Sequence, residues 1–357
     1  MRKIFWTLLF TFILGGNCFA LGKAFVDLHD PAGDDHGPGH YVYPTDRAFV
    51  PGSFDISGFS VFTSEGYVTF IIKFKKNFPG SRLSLQNIDI YIDEDHKRGS
   101  GETVSLPGRN VNFDSGSGWE KAVLITGKPV LAKKELMRIA ARLADKVIIP
   151  KNFRIVGNSI TCDIPTLEIG VPSTVWGYMV FVSPASDAPE KVKMKFIALG
   201  LEEPLLLNAV LEKRGPENFG GGDVAGVSPN IIDLIVGSGE SQEKILSSYN
   251  SITRTRVTLK AIYPLEYWLE VGEGKKGGGH FGLEATILAI SPDRLLTIDK
   301  GTRDGVYNGR IGKIYDDYGD EVTDVIVEQA NDTYSICKIM KVSIISYVNE
   351  RMKVKFK

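Results

Sequence analysis

A loop near the start of the chain carries three carboxylates within six positions. Its sequence over residues 30–39 is DPAGDDHGPG, and the acids are Asp30, Asp34 and Asp35. Glycine and proline at this density interrupt helices and strands, so tight turns are expected. Calcium binds roughly six to eight oxygen atoms, which carboxylates and turn carbonyls supply together. We therefore predict a calcium site here, with Asp55 as a supporting ligand; the alternative is a solvated turn held by side-chain-to-backbone hydrogen bonds.

Three histidines, His29, His36 and His40, alternate with these acids. Imidazole and carboxylate groups are also typical zinc ligands. The pattern lacks the second pair of ligands that zinc sites usually show further along a sequence. Calcium is therefore the preferred ion, and zinc is the alternative.

A second acidic loop begins at Asp93 and Asp95, after a strand-like alternating segment. It starts like an EF-hand loop, with acids at the first and third positions. Lys97 at the fifth position and Val104 at the twelfth exclude that motif, because those positions must supply oxygen ligands. Asp93 and Asp95 are thus candidate cation ligands in a loop between strands, with a plain hairpin turn as the alternative.

Signatures of catalysis are absent from the sequence. It contains no Gly-x-Ser-x-Gly elbow, no His-Glu-x-x-His pair and no Walker glycine loop. Carboxylate pairs hydrolyse glycosides, but no feature selects one pair among the 43 acidic residues. We predict a protein that is not an enzyme; the alternative is a polysaccharide-active enzyme or an accessory subunit of a glucan-degrading system.

Aromatic residues are the better candidates for binding a ligand. Rings with flat apolar faces and polar rims suit sugar recognition. A tryptophan in a β-sandwich is, however, more often part of the core. The candidates are Tyr41, Tyr43, Trp119, Trp176, Tyr178 and Trp268.

The first twenty residues predict export. Arg2 and Lys3 precede an apolar run from Ile4 to Leu14, and small residues at Cys18 and Ala20 fit the positions that a signal peptidase reads. Lipid attachment at Cys18 is the alternative. No later apolar stretch approaches the roughly 20 residues of a spanning helix. We expect a secreted, periplasmic or cell-surface protein.

Partners and thiols are constrained less strongly. The formal net charge of −1, with acids and bases mixed along the chain, gives no reason to expect a nucleic-acid partner. Cys162 and Cys337 fall in segments that we assign to different domains. We therefore expect free thiols, although a bridge between them remains open in an oxidising compartment.

Short segments separated by turns predict an all-β fold. Residues 67–74 are aromatic and β-branched, and Ile88, Ile90 and Ile92 alternate with other residues, so that one face of that strand should be buried. One helix, Lys133 to Val147, should pack on the sandwich. Further strands are predicted at 122–126, 159–164, 175–182 and 192–199, and then at 283–289, 294–298, 312–315, 324–328, 334–338 and 352–356.

These segments predict three regions after the signal peptide (residues 1–20). A β-sandwich with immunoglobulin-like architecture covers residues 21–271. A glycine-rich linker follows over 272–280. A small β-barrel covers 281–357, with its first hairpin turn at Ser291, Pro292 and Asp293.

Several stretches resemble one known family, the C-terminal module of glucodextranase, a DOMON-like β-sandwich. Residues 30–56, DPAGDDHGPGHYVYPTDRAFVPGSFDI, are similar to its opening. LPGRN at 106–110, followed by Trp119, is similar to its central stretch, and residues 219–223 and 229–233 resemble its closing stretch.

The resemblance covers about residues 27–263 and implies binding of a carbohydrate, such as a glucan or a surface glycan, or of the cell envelope, without hydrolysis. It also makes Arg109 and Asn110 of the central stretch candidate ligand contacts. Because some DOMON domains bind haem, Met179 and the histidines offer an alternative, although no axial pair is defined. No glycosidase domain precedes the module here, so envelope attachment is open as its role.

The C-terminal region carries a weaker resemblance. Residues 297–305, TIDKGTRDG, are similar to a small SH3-like barrel of flagellar and envelope proteins. The implied role is contact with envelope proteins, and the alternative is a stabilising appendage.

Overall fold

The structure is a computed structural model. It describes residues 24–64, 66–78, 83–173, 175–186, 188–264, 283–291, 295–316, 321–331, 333–340, 348–350 and 352–356. Several predictions fall outside these residues. They concern the signal peptide with Cys18, the linker, Trp268, and Pro292 and Asp293 of the hairpin turn.

The region up to residue 264 consists mainly of short strands. The predicted segments at 67–74, 122–126, 159–164 and 175–182 all coincide with strands of the structure. The strands are β1 (Val26–His29), β2 (Ile56–Ser64), β3 (Tyr67–Phe74), β4 (Gln86–Asp93), β5 (Val111–Phe113), β6 (Lys121–Thr126), β7 (Val147–Ile148), β8 (Arg154–Val156), β9 (Ser159–Pro165), β10 (Gly177–Pro184), β11 (Asp233–Leu234) and β12 (Val257–Leu259).

Short helices connect some of these strands. They are α1 (Pro129–Ile139), α2 (Thr166–Ile169), α3 (Pro189–Ala198) and α4 (Gln242–Leu246). No helix within the described residues is both long and apolar enough to cross a membrane.

Two sheets of five described strands each form the sandwich. The first sheet has the order β1-β2-β3-β9-β8, and the second has the order β11-β10-β4-β6-β7. Apolar side chains from facing strands fill the space between them: Phe59 of β2 lies 5.5 Å from the ring of Tyr178 on β10 and 6.0 Å from Phe70 on β3. This first core includes Ile88, Ile90 and Ile92 of β4.

The other face of the second sheet is covered too. Tyr91 points away from the first core and packs against Trp119 and Phe181, in a second core that also receives Leu136 of α1. All eight residues of β4 are therefore buried. The prediction that this strand buries one face is wrong, because a central strand of a three-layer arrangement has no solvent-facing side.

The predicted helix is present but shorter than its apolar periodicity suggested. Helix α1 ends at Ile139, a 3₁₀ turn follows at Ala141–Leu143, and Val147 already belongs to β7. Leu143 and Val147 still pack on the second core. The apolar residues at helical spacing are thus buried in one core, although they do not belong to one continuous helix.

The predicted strand at 192–199 is wrong, because this segment forms helix α3. Pro189 stands in its first turn, where a missing N–H removes no hydrogen bond. The alternation of Val192, Met194 and Phe196 suggested a strand. Phe196 is buried but Met194 is 70% exposed, so the alternation does not match the buried face.

Six described strands close a barrel in the C-terminal region, in the order β13-β14-β17-β16-β15-β18. Alternate residues, such as Leu296, Ile298, Cys337 and Ile339, fill its interior. The predicted all-β class, a sandwich with a packed helix followed by a small barrel, is confirmed. The strands are β13 (Leu283–Ile290), β14 (Leu295–Ile298), β15 (Ile311–Tyr315), β16 (Glu321–Ala330), β17 (Ser335–Ile339) and β18 (Lys353–Phe356).

The two cysteines of the described regions are free thiols. Cys162 is buried in the first core of the sandwich, and Cys337 is buried in the barrel. Burial raises the pKa of each thiol to about 12, so both stay protonated at neutral pH.

Candidate functional site

The acidic loop at residues 30–39 lies close to a carboxylate from a distant part of the sequence. Oxygen atoms of Asp30, Asp34 and Asp233 lie within 4.8 Å of one another. Asp30 and Asp34 belong to the loop after β1, whereas Asp233 is the first residue of β11 and is completely buried. Strand pairing of β11 with β10 holds Asp233 in place.

Asp55 stands beside this group. The residue is 2% exposed, and its Oδ2 accepts a hydrogen bond of 2.7 Å from the amide of Gly33, which has a φ of 93°. A positive φ is easily reached by glycine, so Gly33 allows the acidic loop to fold back towards Asp55. We call Asp30, Asp34, Asp55 and Asp233 the four-aspartate cluster.

Several oxygen atoms of the four-aspartate cluster lack a hydrogen-bond partner. Among the described residues, no hydrogen bond reaches either oxygen of Asp30, Oδ1 of Asp34 or Oδ1 of Asp55. Buried polar atoms are almost always paired, because an unpaired one loses its interaction with water without replacement. Unpaired carboxylate oxygens on neighbouring residues are the kind of ligand that a hard cation takes.

Burial also changes the acidity of the cluster. Burial, and next the neighbouring Asp34, raises the pKa of Asp30 to about 8, although the nearby Val236 amide acts in the opposite direction. Burial likewise raises the pKa of Asp55 to about 6 and that of Asp233 well above its usual value. Without a cation, the cluster therefore reduces its charge by holding protons.

Backbone amides organise the buried end of the cluster. Asp233 Oδ2 accepts a hydrogen bond of 2.5 Å from the Ile56 amide, and Oδ1 accepts one of 3.0 Å from the Leu234 amide. Gln242 of α4 is 3% exposed. Its Nε2 donates to the Asp34 carbonyl, and its Oε1 accepts a hydrogen bond from the Leu234 amide. These bonds tie the acidic loop to the segment around β11.

Asp35 was predicted as a ligand of the same ion, but its carboxylate has other partners. Oδ2 accepts a short hydrogen bond from the hydroxyl of Tyr43 and one of 3.0 Å from the Gly52 amide. Its second oxygen lies 3.9 Å from Nε2 of His36. The structure thus brings Asp30 and Asp34 together with Asp233, places Asp55 beside them through its hydrogen bond with Gly33, and assigns Asp35 to the packing of Tyr43. That these residues bind an ion stays a prediction.

The histidines do not join a carboxylate cluster within the described residues. Nδ1 of His36 lies 3.0 Å from the Tyr41 carbonyl, and Nε2 of His40 lies 3.1 Å from the Gly221 carbonyl. His29 is exposed beside Asp27. The histidines therefore do not form a zinc ligand set with these acids, and calcium stays a prediction.

Comparison with known families matches residues 25–261 to the C-terminal binding module, SLH-like, of glucodextranase. The match covers about two thirds of the chain. This protein belongs to that family. The comparison with curated proteins gave no significant match.

Within this glucodextranase-type module, the predicted aromatic contacts lie in the interior. Trp119 is completely buried, with Nε1 donating to the Val104 carbonyl at 2.9 Å, and Trp176 is 5% exposed in the first core. Tyr41 donates its hydroxyl to the Pro229 carbonyl at 2.8 Å, and Tyr43 bonds to Asp35. Their positions do not support sugar stacking, because a buried ring presents no face to a ligand.

Arg109, a candidate ligand contact, is also buried. Its guanidinium forms a bidentate pair with Asp89 of β4, with Nε to Oδ2 at 3.0 Å and Nη2 to Oδ1 at 3.2 Å. Nη1 donates to the carbonyls of Pro107 and Leu205. The side chain is thus occupied by the fold, and it connects the central stretch of the module to the second sheet.

Asn110 has a mixed position. Its side chain is 5% exposed, and its amide donates to the Ser228 carbonyl at 2.9 Å. It nevertheless borders a cavity of about 290 Å³ together with Arg254 and Arg256. Contact of Asn110 with a ligand therefore stays a prediction.

The second acidic loop brings Asp93 and Asp95 within 4.8 Å of Glu120. Both oxygens of Asp93 are paired: Oδ1 accepts from the amides of Asp95 and His96, and Oδ2 accepts from the hydroxyl of Tyr263 at 2.6 Å. Such hydrogen bonds from backbone amides to an aspartate side chain are typical of a turn that the side chain stabilises. A cation here stays a prediction, whereas the turn itself is present.

Sequence reasoning missed Asp233 and Gln242 as parts of the site. The available signal was an acid placed directly after the apolar pair Ile231 and Ile232, where a core residue is expected. A charge in such a position needs a partner or a proton. Which partner it meets depends on strand pairing between distant segments, and that pairing is not visible in the spacing of the residues.

Proposed function

We propose that this protein is a non-catalytic carbohydrate-binding module that acts outside the cytoplasm, on a glucan or a surface glycan, and that a calcium ion in the four-aspartate cluster stiffens it. The family to which the chain belongs is a binding module of a glucan-degrading enzyme, which supports carbohydrate as the ligand class. The SLH-like description and the predicted signal peptide support a secreted or cell-surface location. We also propose that residues 281–357 form a separate domain that contacts the envelope.

One observation carries the calcium part of this proposal. Carboxylate oxygens of Asp30, Asp34 and Asp233 lie within 4.8 Å of one another, and three oxygens of Asp30 and Asp34 lack a hydrogen-bond partner among the described residues. Asp55 adds a further unpaired oxygen beside this group. Carboxylates from four residues, together with loop carbonyls, match the oxygen-rich coordination of calcium. The ion would neutralise the negative charge of these carboxylates, which are otherwise neutralised by bound protons.

The same geometry argues against hydrolysis at this cluster. A glycosidase needs two carboxyl groups that reach the scissile bond from opposite sides, roughly 5 Å or more apart. Asp233 is completely buried, and its two oxygens accept hydrogen bonds from backbone amides. A sugar ring cannot reach a completely buried carboxylate, and this supports a role of Asp233 other than hydrolysis.

Binding and hydrolysis are separated by measuring both on one preparation. The full protein would be applied to a glycan array in the presence of calcium, and reducing-sugar release from soluble α-glucans would be followed in parallel. We expect glycan binding without sugar release. Sugar release that depends on the protein would support the enzyme alternative instead, and absence of binding to any α-glucan or surface glycan would contradict the proposal.

A further inference from the structure

A groove of about 400 Å³ opens along the edge of β10 that is remote from β4. Two segments share this edge: β11 pairs with one half of β10, and Ile262 pairs with Tyr178 in the other half. Continued in register, Val236 and Ala261 would both lie opposite Met179. Only one backbone can pair at that point, so the segments diverge and leave the groove between them.

We call this feature the edge groove, formed by residues 234–238 and Glu240 on one side, 258–263 on the other, and Ile245 of α4. Val236 and Leu259 are buried at its floor, and Ile245 and Ala261 are half-buried. Exposed polar side chains stand at its rim: Ser238, Glu240, Thr258 and Lys260.

The rim side chains are available for a ligand. In the part of the chain that the structure describes, the side chains of Ser238, Glu240, Thr258 and Lys260 make no hydrogen bond or ion pair. Hydroxyl, carboxylate and ammonium groups bind the hydroxyls of a sugar, and an apolar floor suits the C–H face of its ring. The volume lies within the range of roughly 300–1,000 Å³ that small-molecule sites occupy.

Both acidic clusters support the walls of the edge groove. The first wall starts at Asp233, and its Val236 amide lies close enough to Asp30 to affect the pKa of that carboxyl. On the other wall, the hydroxyl of Tyr263 lies 2.6 Å from Oδ2 of Asp93, to which it donates, and 3.0 Å from the Gly116 carbonyl. The ring of Tyr263 stacks on His96 at 3.6 Å between centroids. The groove is therefore held open by fixed parts of the fold.

Other cavities of the described residues suit a neutral sugar less well. The cavity of about 290 Å³ near Asn110 contains Arg254, Arg256 and Glu202, and is thus strongly charged. A cavity of about 360 Å³ beside α1 and α3 lies over the ion pair of Glu135 and Lys193. The edge groove is the largest of the three and combines an apolar floor with a mixed polar rim.

We propose that the edge groove binds a neutral oligosaccharide, with Glu240 and Lys260 holding ring hydroxyls and Ile245 and Ala261 contacting the apolar face of the sugar. This inference rests on the proposed carbohydrate-binding function and names the site that performs it. Since the first wall begins in the four-aspartate cluster, calcium strengthens binding by fixing that wall before the sugar arrives.

Titration calorimetry with soluble α-glucan oligosaccharides, in calcium, tests the site. Ile245→Ser removes an apolar contact that the groove offers to the sugar, and the double substitution Glu240→Ala with Lys260→Ala removes two rim contacts. We expect each to weaken binding roughly tenfold or more, about 1.4 kcal/mol, which corresponds to the loss of one buried apolar contact or of one or two hydrogen bonds. Lys244→Ala, an exposed α4 substitution outside the groove, is the matched control and should leave affinity within about twofold.

Melting temperatures of all variants show whether an effect on affinity comes from unfolding. If the wild-type protein binds and both the Ile245→Ser and the double variant keep wild-type affinity, the edge groove is not the site, and the carbohydrate-binding function remains intact. If the wild-type protein binds neither an α-glucan nor any surface glycan of the array, the function is contradicted, and the groove assignment with it.

Discussion

The carboxylate of Asp233 lies within 4.8 Å of that of Asp30, although the two residues stand at opposite ends of the sandwich sequence. The Ile56 amide, directly after Asp55, donates to Asp233 and so links a third acid to the pair. Three distant segments thus meet at one buried point with an excess of negative charge. Four predictions follow from this cluster and from the two cores around it.

Calcium should stabilise the protein through the four-aspartate cluster. An ion at about 100 times its dissociation constant adds about 2.7 kcal/mol to the free energy of unfolding, and a higher melting temperature in scanning fluorimetry would report it. Asp233→Asn keeps the size of the side chain but removes its charge, so the calcium-dependent rise should disappear. Asp145→Asn, at an exposed acid outside the cluster, is the control. An equal rise in the Asp233→Asn variant would place the ion elsewhere.

Calcium-free protein should lose stability as the pH rises from about 4 to about 8. The pKa of Asp30 is about 8 in the folded protein and near its usual value, about 3.9, when unfolded, so the folded state binds more protons in this range. The stabilisation from the protonated Asp30 is therefore complete below about pH 4, and it is lost as the pH rises to about 8.

Urea unfolding in a chelator at pH 5 and pH 8 measures this effect. Bound calcium requires ionised ligands, so added calcium should stabilise more at pH 8 than at pH 5. A calcium-free protein that is more stable at pH 8 than at pH 5 would contradict the assigned environment of Asp30.

Removing Arg109 should strongly destabilise the module. Arg109→Met leaves the Asp89 carboxylate buried without its partner, and burial already raises the pKa of Asp89 against the effect of Arg109. We expect a loss of about 3–5 kcal/mol in the free energy of unfolding, measured by urea titration. Combining Arg109→Met with Asp89→Leu should recover much of it, because no unpaired charge remains.

The exposed pair of Arg154 and Asp163, 3.0 Å apart, provides the control for Arg109. Arg154→Met should cost no more than about 1 kcal/mol, since water screens a surface ion pair. Similar losses in the Arg109→Met and Arg154→Met variants would show that Asp89 is solvated in solution.

Trp119 should contribute to stability and not to ligand binding. Trp119→Ala removes a completely buried ring from the second core and should cost about 3–5 kcal/mol in the free energy of unfolding. Tyr67→Ala, at a side chain that is 49% exposed, should change it by no more than about 0.5 kcal/mol.

Trp119→Phe separates packing from recognition, because it retains an aromatic core residue. The calorimetric affinity of this variant for an α-glucan oligosaccharide should equal that of the wild type at a temperature where both are folded. Weaker binding with an unchanged melting temperature would instead support the stacking role predicted from the sequence.

Most strands were predictable because their patterns are local. The β-branched and aromatic composition of residues 67–74 produces β3 whatever the rest of the chain does, and the acidic, glycine-rich loop before Asp35 contains no regular element. Helix α3 was mistaken for a strand because its apolar residues alternate, although Pro189 and the lysines favour a helix. When one segment carries patterns of both a strand and a helix, packing against the rest of the protein decides which of the two forms.

Local composition was enough to predict a β-rich fold and an acidic loop without regular structure near Asp30, since glycine, proline and neighbouring acids act through backbone preferences and charge over a few residues. Long-range pairing was needed to place Asp233 beside Asp30, to bury Arg109 against Asp89 and to open the edge groove beside β10. These contacts depend on strand register, and register arises only when all the strands of a sheet bury their side chains together.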